Sequence, residues 1–133
     1  MKSISIGRVL GSALALGLLF SSGAYAQVTA GNGRGLTEQG GEAIYKGVCQ
    51  GCHMPDAKGA VGAGMYPALA KDSKLETAGY PVSVVVNGQK AMPAFGGMFS
   101  DQQVADVVNY VRTHFGNSYK DKVTPADVKS ARP

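Results

Sequence analysis

Residues 49 to 55 read CQGCHMP, and this stretch holds both cysteines of the chain and one of its two histidines, after forty-eight residues that contain neither type. Three kinds of chemistry use such a cluster: a metal clip, a redox disulfide, and the covalent attachment of something larger than an ion. A structural zinc site takes four protein ligands, whereas Cys49, Cys52 and His53 supply three and leave His114 as the one remaining classical donor of their kind. A Cys-x-x-Cys redox pair suits an exported protein, but thioredoxin-like enzymes set it in an α/β framework that the rest of this chain does not show.

The third reading accounts for the histidine as well. Cys-x-x-Cys-His is the signature of covalent haem attachment. On a helical turn residues 49, 52 and 53 stand at i, i+3 and i+4, so both thiols and the imidazole project to one side. Two sulfurs there bond the two vinyl groups of one haem c while His53 reaches the iron. A haem also supplies a large, flat, apolar body for short helices to pack around, which a chain carrying 19 glycines needs.

The start of the chain fits attachment outside the cytoplasm. Lys2 and Arg8 form a positive region, an apolar run follows from Val9 to Phe20, and Ala24-Tyr25-Ala26 presents small residues to a signal peptidase. Residues 1 to 26 are therefore expected to be a cleaved signal peptide, since twelve mostly apolar residues fall short of the ~20 that cross a bilayer. Taking Lys2 and Arg8 from the 13 basic side chains leaves 11 against 9 acidic ones, a formal +2. That is too mild for a nucleic-acid binder, which needs a clustered basic face. The mature protein is expected to be periplasmic, without a membrane span.

Residues 27 to 35 have the composition of a flexible lead-in. Thr37 is a plausible N-cap of a first helix, with Glu38 in its first turn and Ile44, Tyr45 and Val48 on one face. Residues 55 to 67 form a glycine-rich loop, and the run VSVVV after Pro81 reads as a short helix opened by Pro81 and closed by Asn87-Gly88. The clearest element comes last. Ser100 and Gln103 form a capping-box pattern, Val104, Val107, Val108, Val111 and Phe115 recur at helical spacing, and Gly116 ends the helix with Arg112 and His114 in its final turn. Residues 117 to 133 are an extension with a short helix starting at Thr124-Pro125.

The second iron ligand decides what the haem does. With histidine alone the iron is open to small ligands; with methionine opposite, it becomes a six-coordinate electron carrier of raised potential. Met54 adjoins His53 on the same side of the ring, Met65 sits in a flexible loop, and Met98 precedes the cap of the last helix, where an apolar residue often acts as a staple. Met92 lies between two helices in NGQKAMPAFGG, and Pro93 biases it toward an extended conformation that holds a side chain out. It is the preferred axial ligand, with Met65, Met98 and His114 as the other candidates.

With CQGCH, AMPAFG and SDQQVADVVNYVRTHF in place, residues 36 to 116 resemble the class I c-type cytochromes, in particular the small bacterial ones that partner periplasmic dehydrogenases or oxidases, or form subunits of them. The resemblance implies an all-α fold of three to five helices around one covalently bound haem. Gly41 and Tyr45 resemble the glycine and aromatic of the family's N-terminal helix, and Val107 and Tyr110 the facing pair on its C-terminal helix. Pro67-Ala68-Leu69 resembles the segment whose proline carbonyl accepts a hydrogen bond from the proximal histidine, here His53. The function implied is one-electron transfer between redox proteins, with Cys49 and Cys52 anchoring the haem and His53 and Met92 on the iron, rather than catalysis. A haem protein whose distal site opens to small ligands or peroxidase-like chemistry, and a fixed subunit of a dehydrogenase complex, are the alternatives.

Overall fold

The computed structural model describes residues 35–62 and 64–133. The expected signal peptide, and the lead-in up to residue 34, lie outside the described residues.

One helical run carries the cysteine motif, in three parts: α1 (Gly41–Ile44), a π-helical turn (Tyr45–Cys49) and α2 (Gln50–His53). It begins later than Thr37 predicts. Gln103 Nε2 donates to the carbonyls of Leu36 and Glu38, and the Leu36 amide donates to Met98, so this segment is an extended strap tied to another part of the chain. Gly40, at φ 82°, then turns the strap into the helix in a conformation that suits glycine. Ile44 and Tyr45 are buried and Val48 is partly so, as their shared helical face predicts.

The loop after His53 contains an antiparallel pair of two-residue strands, β1 (Ala60–Val61) and β2 (Met65–Tyr66). This hairpin is a small exception in a mostly helical fold, and its Val61 and Met65 are strongly exposed. A 3₁₀ turn (Ser73–Leu75) follows, capped by the Asp72 side chain. The valine run forms α3 (Gly79–Asn87), which starts two residues before Pro81. Proline is tolerated there because the first amides of a helix have no intrahelical partner. Val82 and Val86, one turn apart, face the core, and Gly88 closes the helix at φ 74°.

α4 (Asp101–Thr113) is the central element, and its capping box is complete: Ser100 Oγ accepts from the Gln103 amide and Gln103 Oε1 accepts from the Ser100 amide. Val104, Val107, Val108 and Val111 are buried along one stripe. The helix stops at Thr113, ahead of Gly116, because the Thr113 hydroxyl bonds back to the Asn109 and Tyr110 carbonyls and His114 swings into extended backbone. Arg112 does not cap the helix dipole in solvent. Its side chain is fully buried and donates to the carbonyls of Leu75, Glu76 and Asp121 and to the Asp121 carboxylate.

α5 (Pro125–Ser130) has the Thr124-Pro125 start expected of it, with a second capping box formed by Thr124 and Asp127. It packs on α4 and α3, burying Val128 completely and Val123 nearly so. The α1–α4 crossing is the tightest contact between helices. A Cβ on Gly41 would stand 2.2 Å from the Asp106 carbonyl oxygen and 2.5 Å from Tyr110 Cβ, so only glycine lets the two backbones meet. Beside it the Tyr45 ring lies 5.8 Å from that of Tyr110 and 4.8 Å from that of Phe115. Among the described residues no helix is long and apolar enough to cross a membrane.

Candidate haem site

Cys49, Cys52 and His53 occupy one right-handed turn at the end of the first helical run, with Cys49 at φ −70° and ψ −39°. Cys49 is partly buried, Cys52 is exposed, and the His53 ring is buried. Met54 leaves the helix with φ 66°, and its carbonyl accepts a 2.8 Å bond from the Tyr45 hydroxyl. That bond joins the end of the motif to the α1–α4 crossing. Burial pushes the Tyr45 phenol up to about 12, so it stays protonated and able to donate.

His53 Nδ1 lies 2.9 Å from the Pro67 carbonyl oxygen. A carbonyl only accepts, so Nδ1 carries the proton, and the lone pair of the neutral ring is on Nε2. The backbone around this bond is built for it. The Gly59 amide donates to His53 O, and the Leu69 and Ala70 amides both donate to Ala57 O. Gly59, at φ 68°, lies so close to the Tyr66–Ala68 backbone that a Cβ would stand 2.1 Å from Tyr66 O. Asn117 fixes the next stretch, donating to Leu69 O and Val111 O and accepting from the Asp72 amide.

Met92 stands on a different segment, between α3 and α4. It exchanges two backbone hydrogen bonds with Gln89, of 3.0 and 2.9 Å, around a tight turn in which Lys90 has φ 53°. The side chain is half-buried. Met98 is exposed, as is Met65 on the hairpin. His114 bonds locally, its Nδ1 donating to Tyr110 O at 2.8 Å, and its ring stacks on Tyr110 with centroids 4.1 Å apart.

The donor set fits a haem c. Two cysteine sulfurs and an imidazole with its Nε2 lone pair share one helical turn, which matches two thioether links and one axial bond. A redox disulfide leaves the buried imidazole beside the two sulfurs without a role, whereas haem attachment uses all three groups.

Residues 37–111 match the family described as cytochrome C oxidase, cbb3-type, subunit III. The chain belongs to this cytochrome c family. The cytochrome therefore carries covalently bound haem c with its iron, and Cys49 and Cys52 stand in the spacing that such attachment requires. It is 35% identical over 115 residues to the gluconate 2-dehydrogenase cytochrome c subunit of Pantoea cypripedii, covering 74% of this chain and 25% of that protein. Cytochrome c6 of Bumilleriopsis filiformis is 40% identical over 78 residues, covering 55% of this chain and 86% of that one. Among solved structures, cytochrome c6 of the diatom Phaeodactylum tricornutum superposes with a TM-score of 0.45 at 29% identity, over 68% of this chain and 93% of that one. The chain spans about a quarter of the length of the curated dehydrogenase subunits it matches. These relatives are electron-transfer components.

The sequence pattern does not identify Gly59 or Asn117 as supports of the site. A glycine among many glycines and a polar residue after a helix carry no distinguishing local signal.

Proposed function

We propose that the cytochrome is a periplasmic one-electron carrier with His53 and Met92 as axial ligands of the iron and Cys49 and Cys52 as its thioether anchors. When bound, the haem supplies an iron that alternates between ferrous and ferric states. The single observation that carries the reading is the His53 Nδ1 bond to Pro67 O, which leaves Nε2 as the metal-binding atom on the same turn as both thiols. The Pro67 carbonyl holds the ring and its tautomer and raises the basicity of Nε2. Met92 is favoured on the other side by the turn that ties its backbone to Gln89 and by Pro93 after it. Residues 36 to 116 form the haem-bearing domain in this reading, with residues 117 to 133 as a brace upon it. Export rests on the pattern of residues 1 to 26.

Its partners are other redox proteins, a dehydrogenase or an oxidase on one side and an acceptor on the other, met in small and brief contacts. The names of several relatives support a second form of the reading, in which the chain works as a cytochrome subunit within a dehydrogenase. Co-purification from the native source separates the two, because a fixed subunit elutes with its enzyme and a free carrier alone.

The ligand set is tested by absorption spectra of the reduced and oxidised holo-protein beside Met92→Ala. Wild type is expected to show a sulfur-to-iron band and to resist carbon monoxide when reduced, and the variant to lose the band and bind carbon monoxide readily. A band that survives in Met92→Ala assigns the sulfur to another methionine. Loss of haem under denaturing conditions would overturn covalent attachment.

A further inference from the structure

The chain beyond α5 returns to the segment that carries Met92. Arg132 places all three guanidinium nitrogens there: Nε on Asp101 Oδ1 at 2.5 Å, Nη1 on Gly96 O, and Nη2 on Phe99 O at 2.9 Å. One side chain therefore grips both ends of the 96–99 turn and a first-turn carboxylate of α4. The same turn is joined to α3, as the amides of Phe95 and Gly96 donate to Val85 O and Val86 O, and the Phe95 and Phe99 rings stack at 5.0 Å. Val128 of α5 is fully buried and gives the arginine, four residues on, a fixed base from which to reach.

We infer that Arg132 is a positioning residue for Met92, a clamp that holds the α3–α4 segment closed and sets how readily an outside ligand displaces the methionine from the iron. This rests on the reading of Met92 as axial ligand. The segment from 89 to 99 is anchored by the Gln89 turn near Met92, by the Phe95 and Gly96 amides on α3, and by the Arg132 fork, which among the described residues is the one side-chain anchor that ties its 96–99 end to both α4 and the C-terminal tail. A planar fork that meets two carbonyls and a carboxylate fixes geometry in a way a single point charge does not. Without it the open form gains population, and a competing ligand that binds only the open form binds more tightly by the same factor.

The test is an imidazole titration of the oxidised holo-protein, followed at the sulfur-to-iron band, in wild type, Arg132→Ala, Arg132→Lys and Asn109→Ala. Asn109 holds the tail elsewhere, through two hydrogen bonds to Val123, and serves as the control for general loosening. Arg132→Ala is expected to keep the band before titration and to bind imidazole about tenfold more tightly. Arg132→Lys, which cannot span both carbonyls, shifts in the same direction by a smaller factor, and Asn109→Ala titrates as wild type even where its melting temperature falls as far. Arg132 variants that titrate as wild type, or an Asn109→Ala shift as large as theirs, would overturn the clamp alone. A wild-type spectrum without the band, identical to that of Met92→Ala, would overturn the ligand reading and the clamp together.

Discussion

The two sides of the site are held in different ways. His53 is fixed by backbone close to it in sequence: its partner Pro67 is 14 residues away, Gly59 closes the loop between them, and Tyr45 ties Met54 to the helix crossing. The segment of Met92 is fixed at its far end by Arg132, 36 residues beyond Gly96 and 33 beyond Phe99. The first arrangement depends on close backbone contact and cannot loosen without disturbing the fold, whereas the second is a side-chain fork, partly open to water, that can release while the core stays packed. Stability changes should therefore concentrate on the His53 side and ligand-exchange changes on the Met92 side.

The largest expected effect tests the core that both sides share. Arg112→Ala removes a fully buried guanidinium and leaves the Leu75 and Glu76 carbonyls without their donor, at about 1–3 kcal/mol for each polar group left buried and unpaired. Thermal or denaturant unfolding should show a single large drop; a variant that melted like wild type would mean the arginine network adds nothing to either side. Gly41→Ala comes next, because overpacking at the α1–α4 crossing costs about 1–3 kcal/mol. It should lower the unfolding midpoint and leave imidazole affinity unchanged, and the reverse pattern would break the comparison.

Tyr45→Phe is smaller at neutral pH, about 1 kcal/mol for the lost bond to Met54 O. Its pH dependence is the sharper test. The folded phenol is raised from 10.0 to about 12 by burial, so its contribution is complete below pH 10 and is lost as pH rises toward 12, where the unfolded chain ionises first. Unfolding curves between pH 9 and 12 should fall for wild type and be flatter for the phenylalanine variant. The smallest effect is at Asp121, whose carboxyl is held below its usual value of 3.8 chiefly by the hydrogen bond from Arg112. A lowered acid stabilises above its unfolded pKa and loses that contribution as pH falls through the folded one. Asp121→Asn should be slightly less stable than wild type at neutral pH, with the difference closing below pH 3.8.

Local signals were sufficient where the physics is local. The CQGCH spacing puts its three side chains on one turn because helical periodicity acts within five residues. The caps at Ser100 and Thr124 are legible for the same reason, since a side chain three residues from its own helix start needs no distant partner. Thr37 misled because Gln103 ties down the Leu36 and Glu38 carbonyls from more than sixty residues away, which keeps the strap extended until Gly40. Arg112 misled because a basic residue in a last turn usually faces the solvent, and only packing brings three carbonyls around it.

The amino-acid sequence by itself determined the haem-attachment motif, the last two helices with their caps, and the mostly helical character of the domain. Each follows from residue type and a spacing of a few positions. The family resemblance anticipated the close crossing at Gly41 and the bond from His53 to the Pro67 carbonyl, and the tertiary structure alone decided the extended strap ahead of Gly40, the burial of Arg112 and the reach of Arg132 to the segment of Met92. These depend on backbone groups far apart in the chain, and a carbonyl acquires a partner only when folding sets its direction and excludes water from around it.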